Sequence, residues 1–446
     1  MKKFINFCRI NRQRGVLGYK IEEKMRKDFY MKKRVLAAII IAAGILVGCG
    51  GEVPTDSPIQ PPTLQPIETD APEDTDPEPT EEPQTGDGFL ANGENHPITE
   101  RKIVNGQMQS YLTGEWKDAD VVQRRSFALM IPNNNLKVPG TNNTSTVPQH
   151  GISHASIIYE APVEGRITRL MAIFEDYDDL DVIGPVRSSR DYYVYEAIAF
   201  NSIYCNWGLA VPYVSELINS DRVDNISVQL EGINKGFGTN PANGDPFGRG
   251  LNSGYSTEFT SSMNIAGYEK GVEKRGYAKT YEEDGRFEQA FLFADDGYIA
   301  TYESLPDATV IYPGGTKSNK GGYGNNTGDN AIRFEYNEED RLYYRYQYGA
   351  PQVDADNGEQ LAVTNVVFKV CHGEVRDNHD YLAFRVHGKG TAYVFTNGKV
   401  IEGTWSRVDD GANYFYDKNG NEIVLNQGKT WICCIWEEYA EYMSWE

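Results

Sequence analysis

The sequence predicts a mixed α+β and α/β protein. An N-terminal α/β domain with a mixed sheet is followed by an antiparallel, β-rich C-terminal domain. Three observations carry this. Between residues 101 and 282, apolar runs of strand length alternate with stretches at helical spacing. From residue 296 to 446, nearly every segment is a β-prone run bounded by Gly, Asn or Asp. Two Asn-Gly pairs, in "TNGK" and "KNGN", sit between such runs, and that is the strongest short-range hairpin signal. The 29 tyrosines and 44 glycines suit a body rich in strands and turns.

In the first domain the strands are read as "SFALMIP" (126–132), "ASIIYEAPV" (155–163), "TRLMAIFEDY" (168–177) and "DVIGPV" (181–186). "RDYYVYEAIAFNS" (190–202) reads as a helix, with Asp191 in its first turn where a negative charge suits the dipole. "VPYVSELINS" (211–220) reads as another, with Pro212 in its first turn. In the second domain "AIRFEY", "LYYRYQY", "TNVVFKV", "YLAFRV" and "TWICCIW" are strands. "PGGTKSNKGGYGNNTGDN" (313–330) is a surface loop.

Ahead of these domains the composition changes. "MKKRVLAAIIIAAGILVGC" has a basic start, an apolar core too short to span a membrane comfortably, and the ending Leu46-Val47-Gly48-Cys49. This resembles a lipoprotein signal peptide over 31–48. It implies acylation of Cys49 with palmitate-class chains, which would hold the protein on the outer face of the cytoplasmic membrane. Residues 1–30 are then a misassigned or disordered extension, and translation starts at Met1, Met25 or Met31. Residues 49–100 read as a disordered tether, because 50–100 carries 13 acidic residues and no Lys or Arg.

The net charge is −21, yet residues 1–48 carry 12 basic against three acidic residues, so the remainder carries −30. Such a body lacks the basic surface that nucleic acid requires. The six cysteines include no CxxC pair, and Cys433 and Cys434 read as free thiols in a strand. His150 and His154 have a zinc-like spacing, but Pro and Gly in "PQHGISH" oppose a helix, and no metal or cofactor is expected. "DADNGE" and "DKNGNE" read as hairpin turns, since the glycine is misplaced for a calcium loop.

Several stretches occur in the order and spacing of a known family. "PQHGI" (148–152), "ASIIYE" (155–160), "VEGRITRLMAIF" (163–174) and "IGPVRSSR" (183–190) fall in the first half. "YRYQYGAP" (344–351), "NVVFKV" (365–370), "NGKVIEGTW" (397–405) and "GKTWI" (428–432) fall in the second. The chain resembles the YerB-like bacterial lipoproteins of the Gram-positive type. The resemblance implies a two-domain extracytoplasmic lipoprotein and assigns no reaction. Arg166 stands where that family more often has glycine, and the segment after Phe247-Gly248-Arg249 departs from its pattern.

The candidate site is an anion site in two neighbouring loops: Arg187, Arg190, Arg169 and Arg166, with Glu160 and Glu164, and with Ser188 and Ser189 as caps of the following helix. Guanidinium groups grip phosphate or carboxylate. The same residues could equally be structural ion pairs. Three readings follow: a binding or scaffolding module at the envelope, an enzyme acting on phosphorylated envelope precursors, or a spacer that docks a protein partner. No nucleophile or phosphate-loop motif is present.

Overall fold

The computed structural model describes residues 96–134, 146–252, 257–314, 321–323 and 331–446. The expected signal peptide, Cys49 and the tether up to residue 95 lie outside the described residues, as does most of the 313–330 loop.

Three long strands of the first half are mostly apolar, with Glu160 and Arg169 as their charged members. β1 (Phe127–Asn133) and β2 (Ile157–Val163) are buried at every position, and β3 (Ile167–Phe174) at all but two. Such continuous runs belong to strands covered on both faces. The β2–β3 turn is Glu164-Gly165-Arg166, and Arg166 takes φ +61, in the left-handed region that favours glycine. β4 (Val182–Ile183) is shorter than the expected strand and ends at a cis Gly184–Pro185 peptide. α1 (Asp191–Ala199) then leads to β5 (Ile203–Asn206), α2 (Val211–Ile218) and β6 (Asn225–Ser227). β7 (Phe247–Arg249) and β8 (Ser261–Asn264) join β4 in a three-stranded antiparallel sheet, order β4-β8-β7.

Further along come β9 (Val310–Tyr312), β10 (Arg333–Asn337), β11 (Leu342–Gln347), β12 (Ala350–Pro351) and β13 (Ala362–Val363). Next are β14 (Asn365–Cys371), β15 (Gly388–Thr396), β16 (Lys399–Arg407), β17 (Tyr414–Asp417), β18 (Thr430–Trp436) and β19 (Ser444–Trp445). The "TNGK" hairpin forms as expected: Asn397 and Gly398 both take positive φ between β15 and β16.

Strands from both sequence halves share one ten-stranded sheet, in the order β17-β16-β15-β14-β18-β2-β3-β1-β5-β6. The junction is β18, "TWICCIW", which runs parallel to β14 on one side and to β2 on the other. The second half is otherwise antiparallel within this sheet, so β18 is where its pattern changes. Cys433 and Cys434 are free thiols buried on opposite faces of the strand, as the period of two requires. A smaller antiparallel sheet, β12-β11-β10-β9-β19 with β13 also on β11, lies beside it.

The large sheet separates two cores. On one face α1 and α2 pack with Tyr159, Tyr193, Phe200 and Phe415. On the other lie Phe334, Phe368 and Trp431. Burying each such aromatic stabilises the fold by about 1.5–3 kcal/mol. The halves are also pinned by charge. Lys369 of β14 donates to Glu196 Oε1 of α1 at 2.7 Å and to Asn413 Oδ1 at 2.6 Å, all of them buried. Among the described residues, no helix is long and apolar enough to cross a membrane.

Candidate functional site

The loop after Pro185 is held by its backbone. Arg187 N donates to Met130 O at 2.9 Å, Trp207 N to Arg187 O at 3.1 Å, and Ser189 N to Gly208 O at 2.8 Å. Ser261 Oγ clamps Val186, accepting from its N–H at 3.1 Å and donating to its carbonyl at 2.8 Å. The loop therefore presents its arginines from a fixed track between the middle of β1 and the start of α1.

Three of the four expected arginines converge there. Arg190 grips Glu164 through Nε, at 2.8 and 3.1 Å from the two carboxylate oxygens, and through Nη2. Its guanidinium also lies 5.2 Å from the centre of the Tyr381 ring. Burial pushes the Glu164 carboxyl up, but the hydrogen bond and charge of Arg190, with the charge of Arg169, hold it below the usual range. Arg169 projects from β3 and donates to Ser188 O. Burial, then the charge of Arg190 and more weakly that of Arg187, lower its guanidinium to about 10. Arg187 packs 5.2 Å from the Phe259 ring centre. Arg166 is exposed in the β2–β3 turn.

The remaining expected members behave differently. Neither serine caps α1. The N-cap residue is Arg190, without a side-chain cap, because the loop backbone bonds place Ser189 one residue too early. Ser189 is fully buried and accepts from Tyr204 OH at 2.8 Å, while Ser188 Oγ donates to Trp207 O at 3.4 Å. Asp191, in the first turn, pairs with Arg376 at 2.5 Å. Burial outweighs that partner and raises its carboxyl.

Glu160 is not in the loop. It lies inside β2, fully buried, and accepts from Arg345 of β11 at 2.9 and 3.0 Å, from Trp431 Nε1 at 3.0 Å and from Thr168 Oγ1 at 2.6 Å. It faces away from α1, so the grouping of Glu160 with Arg187 and Arg190 is corrected. The sequence did hold a signal for this pair: a lone Glu within "IIYEAPV" has to find a buried partner.

The sequence reading also missed the neighbours that extend the site. Arg249, from the Phe247-Gly248-Arg249 strand β7, lies 4.3 Å from the centre of the Trp207 ring, and Trp207 N is bonded to Arg187 O. The arginine track thus continues onto an aromatic shelf of Trp207 and Phe259. It can hold an anion by guanidinium hydrogen bonds and a planar group by stacking.

Residues 112–244 match the family model "Protein of unknown function (DUF3048) N-terminal domain", and residues 323–432 match that of the C-terminal domain. The chain belongs to the DUF3048 family. This DUF3048 chain is 25% identical over 327 residues to "Putative lipoprotein YerB" of Bacillus subtilis (strain 168), covering 73% of this chain and 86% of that protein. The crystal structure of YerB from Bacillus subtilis shares its fold, with a TM-score of 0.59 at 24% identity over 75% of this chain and 98% of that one. The arginine track of this DUF3048 chain lies within the first matched region except for Arg249, which falls just beyond it.

Proposed function

We propose that the chain is a lipid-anchored extracytoplasmic binding module that takes an anionic group, phosphate or carboxylate, on the Arg169–Arg187–Arg190 track. The observation that carries this reading is Arg169. Its guanidinium has no carboxylate at ion-pair distance among the described residues, while burial first, and then the charges of Arg190 and more weakly Arg187, lower it to about 10. An anion bound there relieves that repulsion. Binding is favoured over catalysis because the polar groups that could act as nucleophile or base are occupied. Ser189 is buried, Glu164 is held by Arg190, and Glu160 is closed behind Arg345. Membrane anchoring rests on the lipobox-like ending at Cys49 and on similarity to a lipoprotein.

Thermal-shift titration with inorganic phosphate and pyrophosphate tests the site. The expected result is a rise in Tm for wild type that is lost in Arg169→Ala. Absence of any rise in wild type, or an equal rise in Arg169→Ala, overturns it. Mass spectrometry of the mature N-terminus tests the anchor, and an unmodified Cys49 overturns that part.

A further inference from the structure

Behind the arginine track, on the other face of β3, lies a second polar cluster. Thr168 faces it, while its neighbour Arg169 faces α1. Asn133, Glu160 and Thr168 come from the large sheet, and Arg345, Gln347 and Gln352 from β11 and the segment opposite it; each is at most 4% exposed. Asn133 Nδ2 and Arg345 Nη2 bond the same Glu160 Oε1, at 3.2 and 3.0 Å, so their other ends sit beside one carboxylate. Gln347 is two residues further along the same face of β11, about 7 Å on. Gln352 N donates to Arg345 O at 3.0 Å, which sets the two side by side.

Among the described residues, six polar atoms in this cluster have no hydrogen-bond partner: Nε and Nη1 of Arg345, both amide atoms of Gln347, Oε1 of Gln352 and Oδ1 of Asn133. The Lys369–Glu196–Asn413 cluster is equally buried and closes its bonds internally. Buried polar groups need partners, and a concentration of unpartnered ones in one place is stabilised by a small polar group that supplies them. The charge on Arg345 is already matched by Glu160 and flanked by Phe334 and Trp431, each ring centre 4.6 Å from the guanidinium carbon. An added charged group would therefore be uncompensated. The unpartnered set instead offers N–H donors on Arg345 and Gln347, and oxygen acceptors on Gln347, Gln352 and Asn133.

We propose that this cluster is a binding site for a small uncharged carboxamide, whose carbonyl accepts from Arg345 or Gln347 while its NH₂ donates to the Gln352 and Asn133 oxygens. This site is independent of the anion reading, because it uses other residues on the other face of the sheet.

The test is thermal-shift titration of the full chain with acetamide, with acetate as the charged control of the same shape. Acetamide at 100 mM should raise Tm by about 2 °C and acetate should not. Gln347→Leu should abolish the rise while keeping a native near-UV circular dichroism spectrum, since it removes two unpartnered polar atoms. Gln352→Met gives the same readout at a second position. Arg169→Ala should leave the acetamide response intact, which separates failure here from failure of the anion site. No rise with acetamide, an equal rise with acetate, or a rise that survives both substitutions overturns the proposal.

Discussion

Arg345 and Glu160, 185 residues apart in the chain, form a fully buried ion pair that joins the small sheet to the large one. Removing one partner leaves an uncompensated buried charge. Arg345→Met or Glu160→Gln is expected to cost about 3–5 kcal/mol in urea unfolding. The double substitution Arg345→Met with Glu160→Leu should cost less than the two single losses together, because no lone charge remains.

The continuous sheet makes a claim about cooperativity. Since β18 pairs with strands from both halves and Lys369 reaches Glu196 across them, the halves should unfold in one transition. Lys369→Met should lower the midpoint seen by tryptophan fluorescence and by far-UV circular dichroism together, with a loss of about 3 kcal/mol or more. Two separated transitions would refute the coupling.

Glu164 sets a pH dependence. Its folded pKa lies below its usual value of 4.5, so the native state binds fewer protons than the unfolded chain in that range. The contribution is therefore present above about pH 4.5 and lost as pH falls through the folded value. Discounted for partial exposure, Glu164→Gln should cost about 1 kcal/mol at pH 7. Below the folded value the variant and wild type should be equally stable in parallel urea titrations.

The "TNGK" turn depends on its glycine. Gly398 has φ +71, and a Cβ there would sit 2.8 Å from Tyr336 Cε1. Gly398→Ala should cost about 2 kcal/mol, from left-handed strain and from displacing that ring. Thermal unfolding measures it.

Local order was legible in the residues. The runs read as strands at 126–132, 155–163 and 168–177 match β1, β2 and β3 to within a few residues, and the helix starting at Asp191 is in place. These elements announce themselves through period and turn chemistry, both local quantities. The long-range partners were not legible. Nothing near Glu160 names Arg345, and nothing in "TWICCIW" says that it lies between β14 and β2. Parallel pairing carries no local turn to mark it. The arginine loop was found through its Gly-Pro and charges. Its partners divided by sheet face, and that division follows from a register that only the assembled sheet sets.

The position of β18 also bears on the order in which the molecule can be completed. The last long strand of the chain fills the gap between β14 and β2, so until residue 436 is available the sheet consists of two unjoined pieces, each with a bare apolar edge. A chain emerging N-terminus first must leave those edges unpaired until β18 arrives. Closure is therefore a late event, and a chain cut short before Thr430 would present its partners with open strands rather than a smaller finished fold.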